Sequence, residues 1–202
     1  MEIKDYIIQR DIKSLYHFTT VDNLQSILNN GLLSREKLEE NEFEYNYNDE
    51  LRLDKKLNAI CISISFPNYK MFYKCRQEGA DYKWCVIELN PSILHEKSCL
   101  FCITNAANNS ETIKNDQEKK GVNALKKLFY NDDYMKQVGL GCELSTNPQA
   151  EVLVLDDIEP RYLKSINFDT KKVEFPINDY PELKFWYDPQ LFSYRKDWEN
   201  WR

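Results

Sequence analysis

Glu151 heads an apolar run in "NPQAEVLVL", a costly place for a carboxylate. Burying one without a partner costs several kcal/mol, so this glutamate needs a partner, an open cleft or a catalytic role. His17 and Thr19 in "SLYHFTT" are two residues apart on an expected strand, which puts imidazole and hydroxyl on one face. Arg52 in "NDELRLDKK" adds a guanidinium. Each alone has a plain reading: a histidine satisfied within a sheet, a surface arginine, a glutamate reaching a backbone amide or a lysine. As chemistry, a fixed carboxylate in a site that excludes water stabilises a developing positive charge.

Other chemistries find less support. There is no G-x-G-x-x-G, no P-loop and no H-E-x-x-H, so a Rossmann-type nucleotide site is not expected. Cys99 and Cys102 form the only C-x-x-C, and the two histidines, His17 and His95, do not complete a zinc-finger spacing. No metal is expected, and the six cysteines read as free thiols of a cytosolic chain. The start, "MEIKDYIIQRDIKSL", lacks the pattern of a signal peptide, and no apolar stretch approaches a membrane span. A cytoplasmic protein without a membrane partner is the expectation. Net charge is −6, which argues against coating nucleic acid by bulk electrostatics but allows a local basic groove. Seven acids fall between Glu36 and Glu50 and read as a solvated face.

Elements must position these groups. "SLYHFTT" (14–20) reads as a strand, followed by a helix over "NLQSILNN" with Asp22 as N-cap and Gly31 at its C-terminus. "AICISISFP" (59–67) alternates isoleucines with small polar residues, as a half-buried strand does. "NYKMFYKCR" then reads as a short helix capped by Asn68, and "KWCVIELNP" (83–91) as a fully apolar strand. Residues 111–130 suggest one amphipathic helix with Ile113, Val122, Leu125, Leu128 and Phe129 inward. "RYLKSINFD" and "KKVEFPI" suggest a closing hairpin. About six strands and three or four helices, not strictly alternating, point to an α+β fold in a single domain over 1–202. The aromatic-rich segment 180–202 can be a stacking track or simple packing.

The succession "YHFTTVDNLQSILNNGLL", "LRLD", "ISISFPNYKMFY", "FCITNAA" and "NPQAEVLV" resembles the DarT family of bacterial DNA ADP-ribosyltransferase toxins, over residues 14 to 168. The resemblance implies an ADP-ribosyltransferase fold: two small, mostly antiparallel sheets with flanking helices and an NAD cleft between them. It implies transfer of ADP-ribose from NAD, a substrate here, to guanine or thymine of single-stranded DNA, with release of nicotinamide. A macrodomain antitoxin is the implied partner. Glu151 matches the catalytic glutamate, facing an oxocarbenium-like transition state, and His17 the histidine that holds the NAD ribose. Thr19 and Asn23 lie beside that ligand, Asn23 at the first turn of the following helix. Arg52 matches an arginine that clamps the diphosphate or sits by the acceptor base. Tyr69, Met71 and Tyr73 become candidates for stacking on nicotinamide or on a base, and Asn147 and Gln149 for reading a base edge. Three alternatives stand beside this: the same chemistry on RNA or protein, an inactive nucleotide- or partner-binding relative, and an NAD-using RNA 2′-phosphotransferase.

Overall fold

The computed structural model describes residues 1–42, 45 and 56–201. Their strands are β1 Leu15–Thr20, β2 Ile60–Ile64, β3 Trp84–Leu89, β4 Cys99–Cys102, β5 Glu151–Val154, β6 Leu163–Phe168 and β7 Lys184–Tyr187. They form one seven-stranded sheet in the order β4-β5-β2-β1-β3-β6-β7, antiparallel throughout except between β6 and β7. The helices are short: α1 Ile3–Gln9, α2 Leu24–Asn30, α3 Arg35–Glu40, α4 Tyr69–Glu78, α5 Ile93–Glu96, α6 Asn109–Thr112, α7 Gly121–Lys127 and α8 Asp132–Gln137.

The α+β class is as expected, but two separate sheets are not found. The two halves meet at β1 and β2, which pair only through Leu15↔Ile64 and Tyr16↔Ser63. Beyond Tyr16, β1 continues along β3, while β2 runs along β5. The sheet is therefore continuous at one end and parted at the other, and the parting is where a ligand can enter.

Packing follows the strand patterns. On β3, Cys85, Ile87 and Leu89 join a large core with Leu15, Ile62, Leu24 and Leu125. Trp84 and Val86 face the other way, against Phe72 of α4 and Phe192. Burial on both faces explains why "KWCVIELNP" has no polar alternation.

Two expectations fail for identifiable reasons. The single helix over 111–130 is broken into α6, a 3-10 turn at Asp116–Lys119 and α7. Asn115 starts a new turn with a capping box, and Gly121 takes φ 77°. Ile113 consequently lies 83% exposed rather than inward, while Leu125, Leu128 and Phe129 are buried. The closing hairpin is also absent, because the segment after β6 is not a strand. The chain crosses over to β7, which joins parallel to β6.

Gly31 ends α2 at φ 83° and ψ −174°, backbone that only glycine adopts easily. A Cβ there would lie 2.2 Å from the Ile158 carbonyl oxygen, in the bridge that Leu32 makes with Ile158. Gly31→Ala is expected to destabilise the protein by about 1–3 kcal/mol from the backbone alone. A urea melt checks this, and an unchanged midpoint would contradict it.

Candidate active site

The parting between β1 and β2 forms a cleft. Tyr16, His17, Phe18 and Thr19 line one wall and Ile60, Cys61, Ile62 and Ser63 the other. Asn23, Ile27 and Gly31 close one side, and Asn68, Met71 and Glu151 lie at the other.

Glu151 is the first residue of β5 and is 4% exposed. Its Oε1 accepts hydrogen bonds from Asn68 Nδ2 and Asn105 Nδ2, both at 3.0 Å. Its Oε2 accepts from the Ala106 backbone amide at 2.8 Å. An ionised carboxylate only accepts, so three converging donors suit it and fix its orientation. Glu151 thus has both partners and a cleft.

Those donors are set by local structure. Asn68 caps α4 by accepting from the Met71 amide at 3.2 Å, which leaves its Nδ2 aimed at Glu151. Its own amide donates to Ser63 Oγ at 3.1 Å. The chain reaches this position through Ser65, at φ 59°, a conformation costing a non-glycine residue about 1–3 kcal/mol. Asn105 is held because its Oδ1 accepts from the Ala107 amide at 3.0 Å. Neither asparagine was singled out as a site residue from sequence. Asn68 declared itself only as a cap, and "FCITNAA" only as part of the resemblance.

His17 spans the parting. Its Nδ1 lies 2.9 Å from the Cys61 carbonyl oxygen. A carbonyl only accepts, so Nδ1 carries a proton and donates it to this bond. Thr19 is buried, and its Oγ1 accepts from Asn23 Nδ2 at 2.9 Å. Asn23 ends a 3-10 turn, Val21–Asn23, and α2 begins at Leu24, so Asp22 is not the residue at its cap. Burial, with the charge of Glu88 adding to it, pushes the Tyr16 phenol up to about 12. Tyr16 is another lining residue that was not a site candidate from sequence.

His17, Thr19, Asn23, Met71 and Glu151 are brought together. Arg52 lies outside the described residues. Tyr69 and Tyr73 are not among the cleft residues; four apart on α4, they share a face that packs on the C-terminal segment. Their rings lie 5.8 Å and 5.7 Å from that of Tyr194. Asn147 and Gln149 precede Glu151 in a tight turn, where Asn147 Oδ1 accepts from the Gln149 amide at 2.8 Å. They flank the cleft without lining it.

Cys75, Cys85, Cys99 and Cys102 are buried, Cys61 is half-buried at the cleft and Cys142 is exposed. Burial pushes the thiols of Cys99 and Cys102 up to about 12. Among the described residues no group of three or more His, Cys, Asp or Glu side chains is placed to hold a metal ion. No helix among them is long and apolar enough to cross a membrane.

Residues 16–182 match the family described as "ssDNA thymidine ADP-ribosyltransferase, DarT". The chain belongs to the DarT family. No curated protein matches it significantly by sequence. Among solved structures, it is similar to Thermosipho africanus DarTG in complex with ADP-ribose, with a TM-score of 0.64 and 21% identity over 89% of this chain. It spans 51% of that longer chain. Thermus sp. 2.9 DarT in complex with NAD+ gives a TM-score of 0.62 at 14% identity, covering 91% of this chain and 98% of that one. The same Thermus protein in complex with ADP-ribosylated ssDNA gives 0.52 at 13% identity, over 91% and 97%. At these identities the likeness speaks for a DarT fold, and the family match for the membership.

Proposed function

We propose that this DarT-family chain transfers ADP-ribose from NAD to the thymine base of single-stranded DNA and releases nicotinamide. The observation that carries the reading is Glu151, oriented by three donors at the edge of a cleft formed where the sheet parts. The family description names single-stranded DNA and thymidine, which favours thymine of the two bases the resemblance implied. The bond between nicotinamide and ribose breaks with its electron pair leaving on nicotinamide. Positive charge builds on the sugar, where a fixed carboxylate stabilises it, and C1′ is taken by the acceptor base, which gives up its N–H proton to water.

The other residues divide the remaining work. Nδ1 of His17 donates to the Cys61 carbonyl, and the ring meets a ribose hydroxyl through Nε2. Thr19 and Asn23 shape the same wall, and Met71 offers a soft surface for the nicotinamide ring. Arg52 takes the diphosphate or the acceptor base. Asn147 and Gln149 present amides to the incoming base, and Tyr73, 43% exposed, serves the strand better than the buried Tyr69. A macrodomain antitoxin as partner and a cytoplasmic location complete the reading.

Incubation with labelled NAD and matched pools of DNA, RNA and protein tests it. Label confined to DNA supports it, and label on RNA or protein alone overturns it. His17→Ala is expected to weaken NAD binding about tenfold, the loss of one hydrogen bond at about 1.4 kcal/mol. Calorimetry with a thermal melt as control measures this. An unaltered dissociation constant would leave His17 with only its strand-bridging role.

A further inference from the structure

The C-terminal segment after β7 lies beyond the family match, yet it grips the turn that leads into Glu151. Arg195 and Asp197 are each 3% exposed. The guanidinium meets the carboxylate with two bonds, both of 2.7 Å, from Nε to Oδ1 and from Nη2 to Oδ2. It also reaches two successive carbonyls, Ser145 through Nη1 at 2.7 Å and Thr146 through Nη2 at 2.9 Å. Asp197 is itself anchored, since its Oδ2 accepts from Tyr134 at 2.9 Å and from Trp201 Nε1 at 2.8 Å.

A buried ion pair is a poor device for stability alone, because apolar side chains of similar volume often serve as well. What the planar fork adds is geometry: it fixes where two backbone oxygens stand. Those oxygens begin the turn that carries Asn147 and Gln149 and ends at Glu151. The same segment holds the start of α4, where Lys70 Nζ donates to the Trp201 carbonyl and Tyr69 packs edge-on against Tyr194. Asn68, which orients Glu151, is the residue just before. The stretch from Tyr194 to Trp201 thus touches both flanks of the acceptor side of the cleft, while Leu191 and Phe192, earlier in the segment, pack in the cluster that Tyr16 and Phe18 of the His17 wall join.

We propose that Arg195, held by Asp197, is a positioning residue that sets the 145–150 turn for the acceptor strand. This rests on the transfer reading above. It has a consequence that a merely structural role lacks: NAD binding is spared and transfer is not.

The test is the paired replacement Arg195→Met with Asp197→Leu, which removes both charges together and keeps the volume, compared with Arg195→Lys, which keeps the charge but cannot fork two carbonyls. Amide exchange at Thr146, Asn147, Gln149 and Ala150 is followed with NAD affinity and with kcat and KM for a thymidine-containing single strand. Faster exchange confined to this turn is expected in both variants, with NAD affinity within about twofold of wild type. Transfer should fall about tenfold to a hundredfold, as small misplacements of reacting groups cost. Wild-type exchange of the turn and a wild-type transfer rate in whichever variant folds would overturn the proposal. A wild-type protein that labels no DNA would defeat the transfer reading instead, and the exchange comparison would still decide whether Arg195 holds the turn.

Discussion

Glu151→Gln is expected to reduce ADP-ribose transfer about 10²- to 10³-fold while leaving the protein folded. In the proposed reaction the carboxylate faces positive charge on the ribose, and removing such a partner costs about 3–4 kcal/mol of transition-state stabilisation. Gln keeps an oxygen for the Asn68 and Asn105 donors but turns an amide toward the Ala106 N–H, so a small loss of stability accompanies the loss of rate. Glu151→Ala strands the Asn68, Asn105 and Ala106 donors and should cost about 1–3 kcal/mol of stability for a group left unsatisfied, unless water refills the site. Single-turnover rates and a thermal melt separate the two effects. A Gln variant with near wild-type transfer would remove Glu151 from the chemistry.

Single-stranded DNA should be modified about 10²-fold faster than the same sequence in a duplex. A base in a duplex is stacked and paired, and extracting it costs a few kcal/mol, each 1.36 of which is tenfold in rate. This chain carries a net charge of −6, which leaves it little general attraction for DNA with which to offset that cost. Initial rates on matched single- and double-stranded oligonucleotides measure the ratio. Equal rates would mean that accessibility of the base is not what limits transfer.

Much of the scaffold was legible because its signals are local. The alternation of "AICISIS" marked β2 as a strand, and Asn68 announced the start of α4. Glu151 was legible because a carboxylate beside "VLVL" demands an explanation. The donors that supply it were not, since Asn68 and Asn105 lie 83 and 46 residues away in sequence and asparagines in loops carry no periodic mark. Tyr69, Met71 and Tyr73 were grouped as possible stacking residues, yet a helix separates them: Met71 faces the cleft and the two tyrosines face Tyr194. The joined sheet was hidden for a related reason. Whether β1 and β2 touch depends on just two residue pairs at one end, which no strand pattern encodes.

The account stands most directly on where the ADP-ribose goes. A thymidine-containing single-stranded oligonucleotide, incubated with NAD and either the wild-type protein or Glu151→Gln, is digested to nucleosides and read by mass spectrometry. The predicted result is one ADP-ribose on thymidine with the wild-type protein, nicotinamide released in equal amount, and little or none of either with the variant. Label on another nucleoside, nicotinamide released without any DNA adduct, or equal labelling by the variant would contradict it.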